Sequence, residues 1–313
     1  MERNQIIEKV SKPTEWVNNV VLVEKKSGTI RVCLDPKDLN SAIRRQHYQL
    51  PTTEEIFARM SGAKYFSKLD ASSGFWQIKV DEDSSKLLAF STPFGRYKFL
   101  RLPFGIVSAP EIFHAAVAEI IEGLDGVANE IDDIIVWGPT LEIHNQRLHA
   151  VFERIRQSGL KLNKDKCVIG ATELSYLGHV TSDEGIKPCP EKIQAILDMP
   201  LPQCKADLQR FLGMVTYLGK FIPNLSTITA PLRKLLEKDV LWEFHPHHEK
   251  AINHLKELVT SSPVLQYFDP KLPVIISSDS SKAGLGAVLE QYTDSDKIYF
   301  GMETRLNGPT VTV

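Results

Sequence analysis

The sequence predicts a mixed α/β (α+β) fold in which a mostly antiparallel sheet packs on helices, followed by a separate helical unit and a closing β-hairpin. Three observations predict it. Up to Pro190, short β-branched runs parted by Gly-, Ser- and Asp-containing turns alternate with two stretches of clear helical periodicity. Beyond Pro190 the pattern changes to helices broken by proline-containing joints. From Leu272 it returns to strand, turn and strand. At 313 residues the chain is long enough for two or three compact units, each with its own core.

The elements follow in order. "WVNNVVLVEKKSGTIRVCLD" reads as a hairpin, its apolar runs flanking Lys26-Ser27-Gly28. "PTTEEIFARM" opens a short helix, with Thr52 and Glu55 spaced as a capping box. "KYFSKLDASSGFWQIKV" gives two strand-like runs around Ala71-Ser72-Ser73-Gly74, and Asp70 closes the first. Further strands are expected in "KLLAFSTPFGRYKFLRLPF". The next helix starts with Ser108 and Glu111 as a second capping box and Pro110 in the first turn. Its apolar face is Ile112, Phe113, Ala116, Val117, Ile120, Ile121 and Leu124. Gly126 stops it, and "VANEIDDIIVWG" then reads as one buried strand. A helix from Leu141 to Ser158 ends at Gly159, and "ELSYLGHVTSDEGIKP" forms a hairpin turning at Asp183-Glu184-Gly185. In the helical unit, Lys205, Arg210, Lys220, Arg233, Lys234 and Lys238 face only Asp207 and Glu237, which makes a local positive surface. "LPVIISSDSSKAGLGAVLEQ" supplies the last hairpin.

Composition is that of a soluble globular protein, and the formal net charge of -2 leaves any nucleic-acid partner to be met by a local patch. No apolar run reaches membrane-spanning length, and the charged start "MERNQIIEKV" is unlike a signal segment. Cys33, Cys167, Cys189 and Cys204 contain no C-x-x-C pair, so they read as reduced thiols of an intracellular protein, with cytoplasm and nucleus not distinguished. His245, His247, His248 and His254 lie close in sequence without a ligand ladder, and read as a solvated helix start.

Asp132 and Asp133 stand side by side in an otherwise apolar run. From Leu102 to Gln146 there is no Lys or Arg, while Glu111, Glu119, Glu122, Asp125, Glu130 and Glu142 share the stretch. Adjacent carboxylates repel, and burying them unpaired raises their pKa or destabilises the fold. A divalent cation resolves the conflict. An Asp pair alone is more often a solvated turn. Asp70 strengthens the functional reading, because it ends an apolar strand before a small-residue turn. Two strand ends in one sheet can bring three carboxylates together, the ligand set for two ions roughly 3.5–4 Å apart that clamp a phosphoryl transfer. Lys25 and Arg31 flank a hairpin turn and can reach a polyphosphate, Arg through its bidentate fork. The basic helices can lie along a nucleic-acid backbone. Taken singly, each of these cations reads more simply as a solvated surface charge.

With "YFSKLDASSGFWQI", "LPFGIVSAPEIF", "IDDIIVWG", "GLKLNKDKC" and "YLGHV", joined by "RVCLDPKDLN" and "HYQLP", the chain resembles the reverse transcriptases of gypsy-type LTR retrotransposons. Order and spacing match from about Ile7 to Gln291. The resemblance implies a right-hand polymerase fold: fingers at 1–65 and 81–105, palm at 66–80 and 106–182, thumb at 183–238, connection at 239–262, and a truncated RNase H-like segment at 263–313. It implies an RNA-directed DNA polymerase that takes an RNA or DNA template with primer and a dNTP, uses two Mg²⁺ ions (or Mn²⁺), and needs no membrane. Asp70, Asp132 and Asp133 look like the catalytic metal-binding triad, Asp133 the least directly engaged. Lys25, Arg31 and Ala71 match nucleotide-contacting positions, and Phe75 matches the aromatic under the sugar that excludes a 2′-hydroxyl. Phe104 and Gly105 match the position near nucleotide and template, and Leu177 and Gly178 the hairpin that holds the primer end. Lys205, Arg210 and Lys220 are expected along the nucleic-acid backbone. For Phe75 and Phe104, plain core packing is the simpler reading, and it is compatible with these roles.

Two departures stand out. The family commonly has Tyr two residues before the Asp pair, where this chain has Glu130. "ISSDSSKAGLGAVLEQ" looks like the first hairpin of an RNase H domain, with Asp279 as its first metal carboxylate, but the pattern dissolves after "EQYTDSDK" and RNase H activity is expected to be absent. Three rival readings stand beside the polymerase. One is a degenerate element product that binds nucleic acid or a protein partner without polymerising, motivated by Glu130 and the shortened ends. A host-recruited interaction protein is disfavoured by the intact Asp70, Asp132, Asp133, Lys25 and Arg31. A palm-fold nucleotidyl cyclase is disfavoured by the basic helices and the first hairpin.

Overall fold

The computed structural model describes residues 1–24, 28–45, 48–222, 224–261, 264–269, 271–281, 284–292 and 297–300; of the side chains between 279 and 300, it describes Leu289 and Gln291. Two compact units divide the chain: Met1–Thr52 with Tyr65–Ala171, and Thr53–Lys64 with Thr172–Val313. In chain order the first half runs β1 (Ile7–Val10), β2 (Asn19–Glu24), β3 (Ile30–Asp35), α1 (Lys37–Ala42), α2 (Thr53–Ala58, in the second unit), β4 (Tyr65–Asp70), α3 (Glu82–Leu87), β5 (Ala89–Thr92) and β6 (Gly95–Phe99). Then come α4 (Ala109–Ile121), β7 (Val127–Glu130), β8 (Asp133–Gly138), α5 (Leu141–Ser158) and β9 (Val168–Ala171).

The first unit is built on a four-stranded antiparallel sheet in the order β7-β8-β4-β9. Alternation along β4 and β8 sends Leu69, Ile134 and Val136 to one face, where they share a core with Phe113, Val117 and Ile121 of α4 and with Leu148, Val151 and Ile155 of α5. On the opposite face Phe66, Ile135 and Trp137 are buried as well, which explains the near-continuous apolar run in sequence. A separate three-stranded sheet has the order β1-β6-β5, and β2 pairs with β3 in the expected hairpin, Asn19 opposite Asp35 and Glu24 opposite Ile30.

Three local expectations are corrected. "VANEIDDIIVWG" is a hairpin: Glu130 of β7 pairs with Asp133 of β8, leaving Ile131 and Asp132 as a two-residue turn. The run after Asp70 is a 3-10 turn over Gly74–Gln77 rather than a second strand, entered through Ser73 at φ 51. A Cβ on Gly74 would lie 2.8 Å from both Asp132 Oδ1 and Phe113, so an alternating pleated strand has no room there. The capping box at α4 is not formed: Ser108 makes no side-chain cap bond and Glu111 pairs with Arg45 instead; Pro110 does sit in the first turn. Helix α5 matches expectation at both ends: the Thr140 hydroxyl accepts from the Ile143 amide, and Gly159 leaves it at φ 75.

The second unit continues with β10 (Leu174–Tyr176), β11 (His179–Ser182), β12 (Gly185–Pro188), α6 (Pro190–Leu197), α7 (Lys205–Tyr217), α8 (Leu225–Lys234) and α9 (Pro246–Thr260). "ELSYLGHVTSDEGIKP" forms three strands rather than two, since the chain turns at Leu177-Gly178 as well as after Ser182. Helix α9 packs on α6 and α8, with Ile252, Leu255 and Val259 fully buried. Last come β13 (Val274–Ser281), β14 (Gly284–Tyr292) and β15 (Lys297–Phe300), in one antiparallel sheet. Strand β15 lies where the sequence pattern was read as dissolving; four residues are too few to declare a period. Among the described residues no helix is long and apolar enough to cross a membrane.

Replacing Thr140 by Ala removes the hydroxyl that accepts from the Ile143 amide at the start of α5, and we expect a loss of about 1 kcal/mol in a urea titration. An unchanged midpoint would show that the cap contributes nothing.

Candidate active site

The antiparallel pairing sets Asp70, the last residue of β4, directly opposite Asp133, the first of β8. The turn residue Asp132 is tied to the same strand end, because the Ala71 amide donates to its carbonyl at 3.0 Å. Three carboxylates thus gather at one end of two neighbouring strands. Oδ1 of Asp132 is buried and has no hydrogen-bond partner. Burial, then the charges of Asp70 and Asp133, hold its pKa above the usual carboxylate value, against a smaller opposing pull from Lys166 and Arg31. Lys68 Nζ reaches Asp133 at 2.8 Å and Lys166 Nζ reaches Asp70 at 3.1 Å.

As these side chains stand, no three or more His, Cys, Asp or Glu among the described residues are drawn together as a ready metal site. The donor set nevertheless fits a hard divalent ion: three carboxylates, one of which, Asp132, carries a buried oxygen without a partner.

Beside the carboxylates lies an aromatic cluster. Phe75 packs on Phe104 and Phe113 at ring distances of 4.9 and 5.9 Å, and the Arg31 guanidinium lies 4.7 Å over the Phe104 ring. Arg31 Nε is buried without a partner. Gly105 holds this cluster against β3: at φ 108, an added Cβ would fall 1.9 Å from the Leu34 carbonyl oxygen, while the Leu34 amide donates to the Phe104 carbonyl at 2.7 Å. Ala71 is buried and bridges to Leu162. Of the expected nucleotide positions, Arg31, Ala71, Phe75, Phe104 and Gly105 all lie in this unit with the carboxylates. Lys25 lies outside the described residues.

Sequence reasoning missed Gln77. Its amide nitrogen donates to the Ser72 and Lys161 carbonyls at 2.8 and 2.9 Å, and its oxygen accepts from the Lys161 amide at 2.7 Å. Gln77 therefore clamps the turn after Asp70 to the chain at Lys161, and the Asn163 amide completes the tie by donating to the Asp70 carbonyl at 2.8 Å. A Gln inside an apparent strand carried no periodic signal. Lys68 and Lys166 were missed for the same reason. Glu130, the departure from the family pattern, has a buried oxygen without a partner, and burial raises its pKa.

The remaining candidates lie in the second unit. Leu177 (φ 48) and Gly178 (φ 72) form a turn whose Leu177 carbonyl accepts from the Tyr217 hydroxyl at 2.8 Å and the His179 ring at 2.9 Å. Burial, then the nearby Lys220 charge, lowers the His179 pKa to about 4, so the ring is neutral. Arg210 is exposed, and Lys205 places Nζ 2.6 Å from the Glu237 carbonyl. Lys220 departs from the expected surface cation. Its ammonium lies between the Phe57 and Phe221 rings, pairs with Glu54 at 3.4 Å, and has its pKa lowered by burial. Asp279 falls in β13, but its side chain lies outside the described residues.

Comparison with known proteins adds three findings. Residues 23–181 match the family described as reverse transcriptase (RNA-dependent DNA polymerase), and residues 244–304 match an RNase H-like domain found in reverse transcriptase. The second match runs through the segment read as patternless and begins inside the stretch expected to be a connection. The Transposon Tf2-3 polyprotein of Schizosaccharomyces pombe is 35% identical over 286 residues, covering 90% of this chain but 21% of that protein, so the chain spans about a fifth of such relatives. Among solved structures, a foamy viral protease–reverse transcriptase in complex with double-stranded DNA matches 98% of this chain and 54% of its own, with TM-score 0.88 and 22% identity. The foamy viral enzyme in complex with an RNA/DNA hybrid matches 94% of this chain and 40% of its own, at TM-score 0.79 and 21% identity. These likenesses bear out the expected polymerase fold.

Because the Asp132 carboxyl titrates above its unfolded value of 3.8, the folded chain binds that proton more tightly than the unfolded chain does. Its contribution to stability is present in acid and is lost as pH rises from the unfolded value through the raised folded one. Asp132→Asn should therefore melt higher than wild type at neutral pH in EDTA, with the gap closing in acid; equal melting curves at neutral pH would contradict the buried, repelled carboxylate.

Proposed function

The chain belongs to the reverse transcriptase (RNA-dependent DNA polymerase) family, and from that premise we propose that it is the polymerase of a gypsy-type retrotransposon, acting on a primed RNA or DNA template with dNTPs. The observation that carries this reading is the convergence of Asp70, Asp132 and Asp133 at the paired ends of β4 and β8. In the proposed reaction the primer 3′-hydroxyl attacks the α-phosphate of the dNTP, and pyrophosphate leaves. Two Mg²⁺ ions (or Mn²⁺), when bound, lower the hydroxyl pKa and neutralise the leaving oxygens. Asp70 and Asp132 would hold them, with Asp133 less directly engaged.

This chain's own residues do the rest by positioning. Arg31, stacked on Phe104, aims a guanidinium at the triphosphate, and the resemblance assigns Lys25 to the same role. Phe75, fixed by Phe104 and Phe113, forms a rigid floor under the sugar that leaves no room for a 2′-hydroxyl. Leu177-Gly178 supports the primer end, and Lys205 and Arg210 the backbone. The fingers, palm, thumb and connection boundaries given above belong to the same proposal. Asp279 is the acid of the RNase H-like segment that the resemblance assigns, and we propose that the chain does not by itself cleave the RNA strand of a hybrid. A second reading, binding without polymerising, is favoured by the buried, unpartnered Glu130 oxygen beside the carboxylates.

Asp132→Asn should lower primer extension on an RNA template with Mg²⁺ by at least about 10³-fold while primer–template binding persists. Extension near the wild-type rate would refute the site, and wild-type binding without any extension would select the second reading.

A further inference from the structure

The turn that presents Asp132 is strained. Ile131 sits at φ 52, in the left-handed region that a β-branched residue occupies only under strain. Such a conformation persists only where neighbouring groups over-determine it. One tie is the Ala71 amide on the Asp132 carbonyl at 3.0 Å. The other comes from α4: the Ile131 amide donates to His114 Nδ1 at 3.2 Å. His114 is 2% exposed, its own carbonyl accepts from the Asn129 side chain at 3.1 Å, and the Tyr48 ring packs on it at 5.6 Å. Burial and the Tyr48 ring confine the imidazole, and the Asn129 bond holds the helix backbone that carries it. Its neighbour Phe113 lines the space beneath Asp132 Oδ1 at Gly74. Two successive residues of α4 thus frame the turn, one by packing and one by a hydrogen bond.

An Nδ1 that accepts must be unprotonated, with the ring proton on Nε2. Burial lowers the His114 pKa, which keeps that acceptor available. A buried His on an apolar helix face ordinarily reads as core, and an apolar side chain of similar size would pack there at least as well. The hydrogen bond to a strained turn is what such a side chain would not supply.

We propose that His114 is a positioning residue of this active site: its Nδ1 holds the Ile131 amide, keeps Ile131 in its left-handed conformation, and so fixes where the Asp132 carboxylate points. The inference rests on the polymerase reading for its kinetic consequence, but its structural half stands without it.

The test compares His114→Leu, which removes the acceptor, with His114→Asn, whose Oδ1 takes the place of Nδ1. Amide hydrogen exchange of peptides covering 129–133 is measured in both variants and in wild type, alongside single-nucleotide primer extension and thermal melting. His114→Leu should melt within a few degrees of wild type, exchange the turn amides at least tenfold faster, and lower kcat at least tenfold with KM for primer–template unchanged. His114→Asn should restore slow exchange and most of kcat. Unchanged exchange in His114→Leu overturns the proposal, as does fast exchange with an unaltered kcat. A loss in His114→Leu that His114→Asn fails to rescue overturns the hydrogen-bonding role. Wild-type protein that never extends a primer refutes the polymerase reading instead, and the exchange arm then decides alone whether His114 holds the turn.

Discussion

Like charge in a confined place is the constraint on which this structure depends. Antiparallel pairing forces Asp70 and Asp133 to face each other, and a two-residue turn adds Asp132 beside them. At an effective dielectric of about 20, two unit charges about 4 Å apart repel by about 4 kcal/mol, a large fraction of a domain's net stability. The fold answers with cations from three directions. Lys68 takes Asp133, Lys166 takes Asp70, and Arg31 lends a weaker pull on Asp132. Lys166 is 64% exposed and Lys68 24%, so the pair at Asp133 is the better shielded from solvent and the stronger of the two. Asp132 keeps an unsatisfied oxygen. A protein that retains such a group holds a site whose energy falls when a cation arrives.

Everything near the carboxylates keeps them in place. Gln77 and Asn163 lock the chain after Asp70, Gly74 and Phe113 shape the space under Asp132, and His114 grips the strained turn. The aromatic stack of Phe75 and Phe104 carries Arg31 on one side, while Gly105 lets that segment approach β3 closely. None of these residues except Arg31 is charged. The site is an arrangement of rigid, mostly neutral supports around a small set of charges, as suits chemistry that proceeds by positioning and electrostatics.

The sequence revealed what local rules control. Helix α5 ran from Leu141 to Ser158 and ended at Gly159 as expected, β2 and β3 paired as the two apolar runs around the turn required, the Asp pair was found from its burial conflict, and Asp70 from its place at the end of an apolar strand. Patterning misread "VANEIDDIIVWG", because both strands of that hairpin are buried on two faces and leave no polar period to mark the turn. The run after Asp70 was misread because a single close approach, Gly74 against Asp132 and Phe113, overrides its strand propensity. The setting of Lys220 was not legible, because charge on a helical stretch does not reveal that two aromatic rings and Glu54 enclose it. Gln77 and His114 act through hydrogen bonds to distant backbone atoms, which no spacing rule encodes.

The central claim is that these carboxylates jointly bind divalent metal. Anomalous diffraction from crystals grown with Mn²⁺, primer–template and a non-reactive dNTP analogue tests it most directly. The account predicts a manganese peak roughly 2.1 Å from oxygens of both Asp70 and Asp132, with Lys166 displaced from Asp70. A saturating Mn²⁺ concentration that leaves Asp70 on Lys166 and no ion between the two aspartates would contradict it.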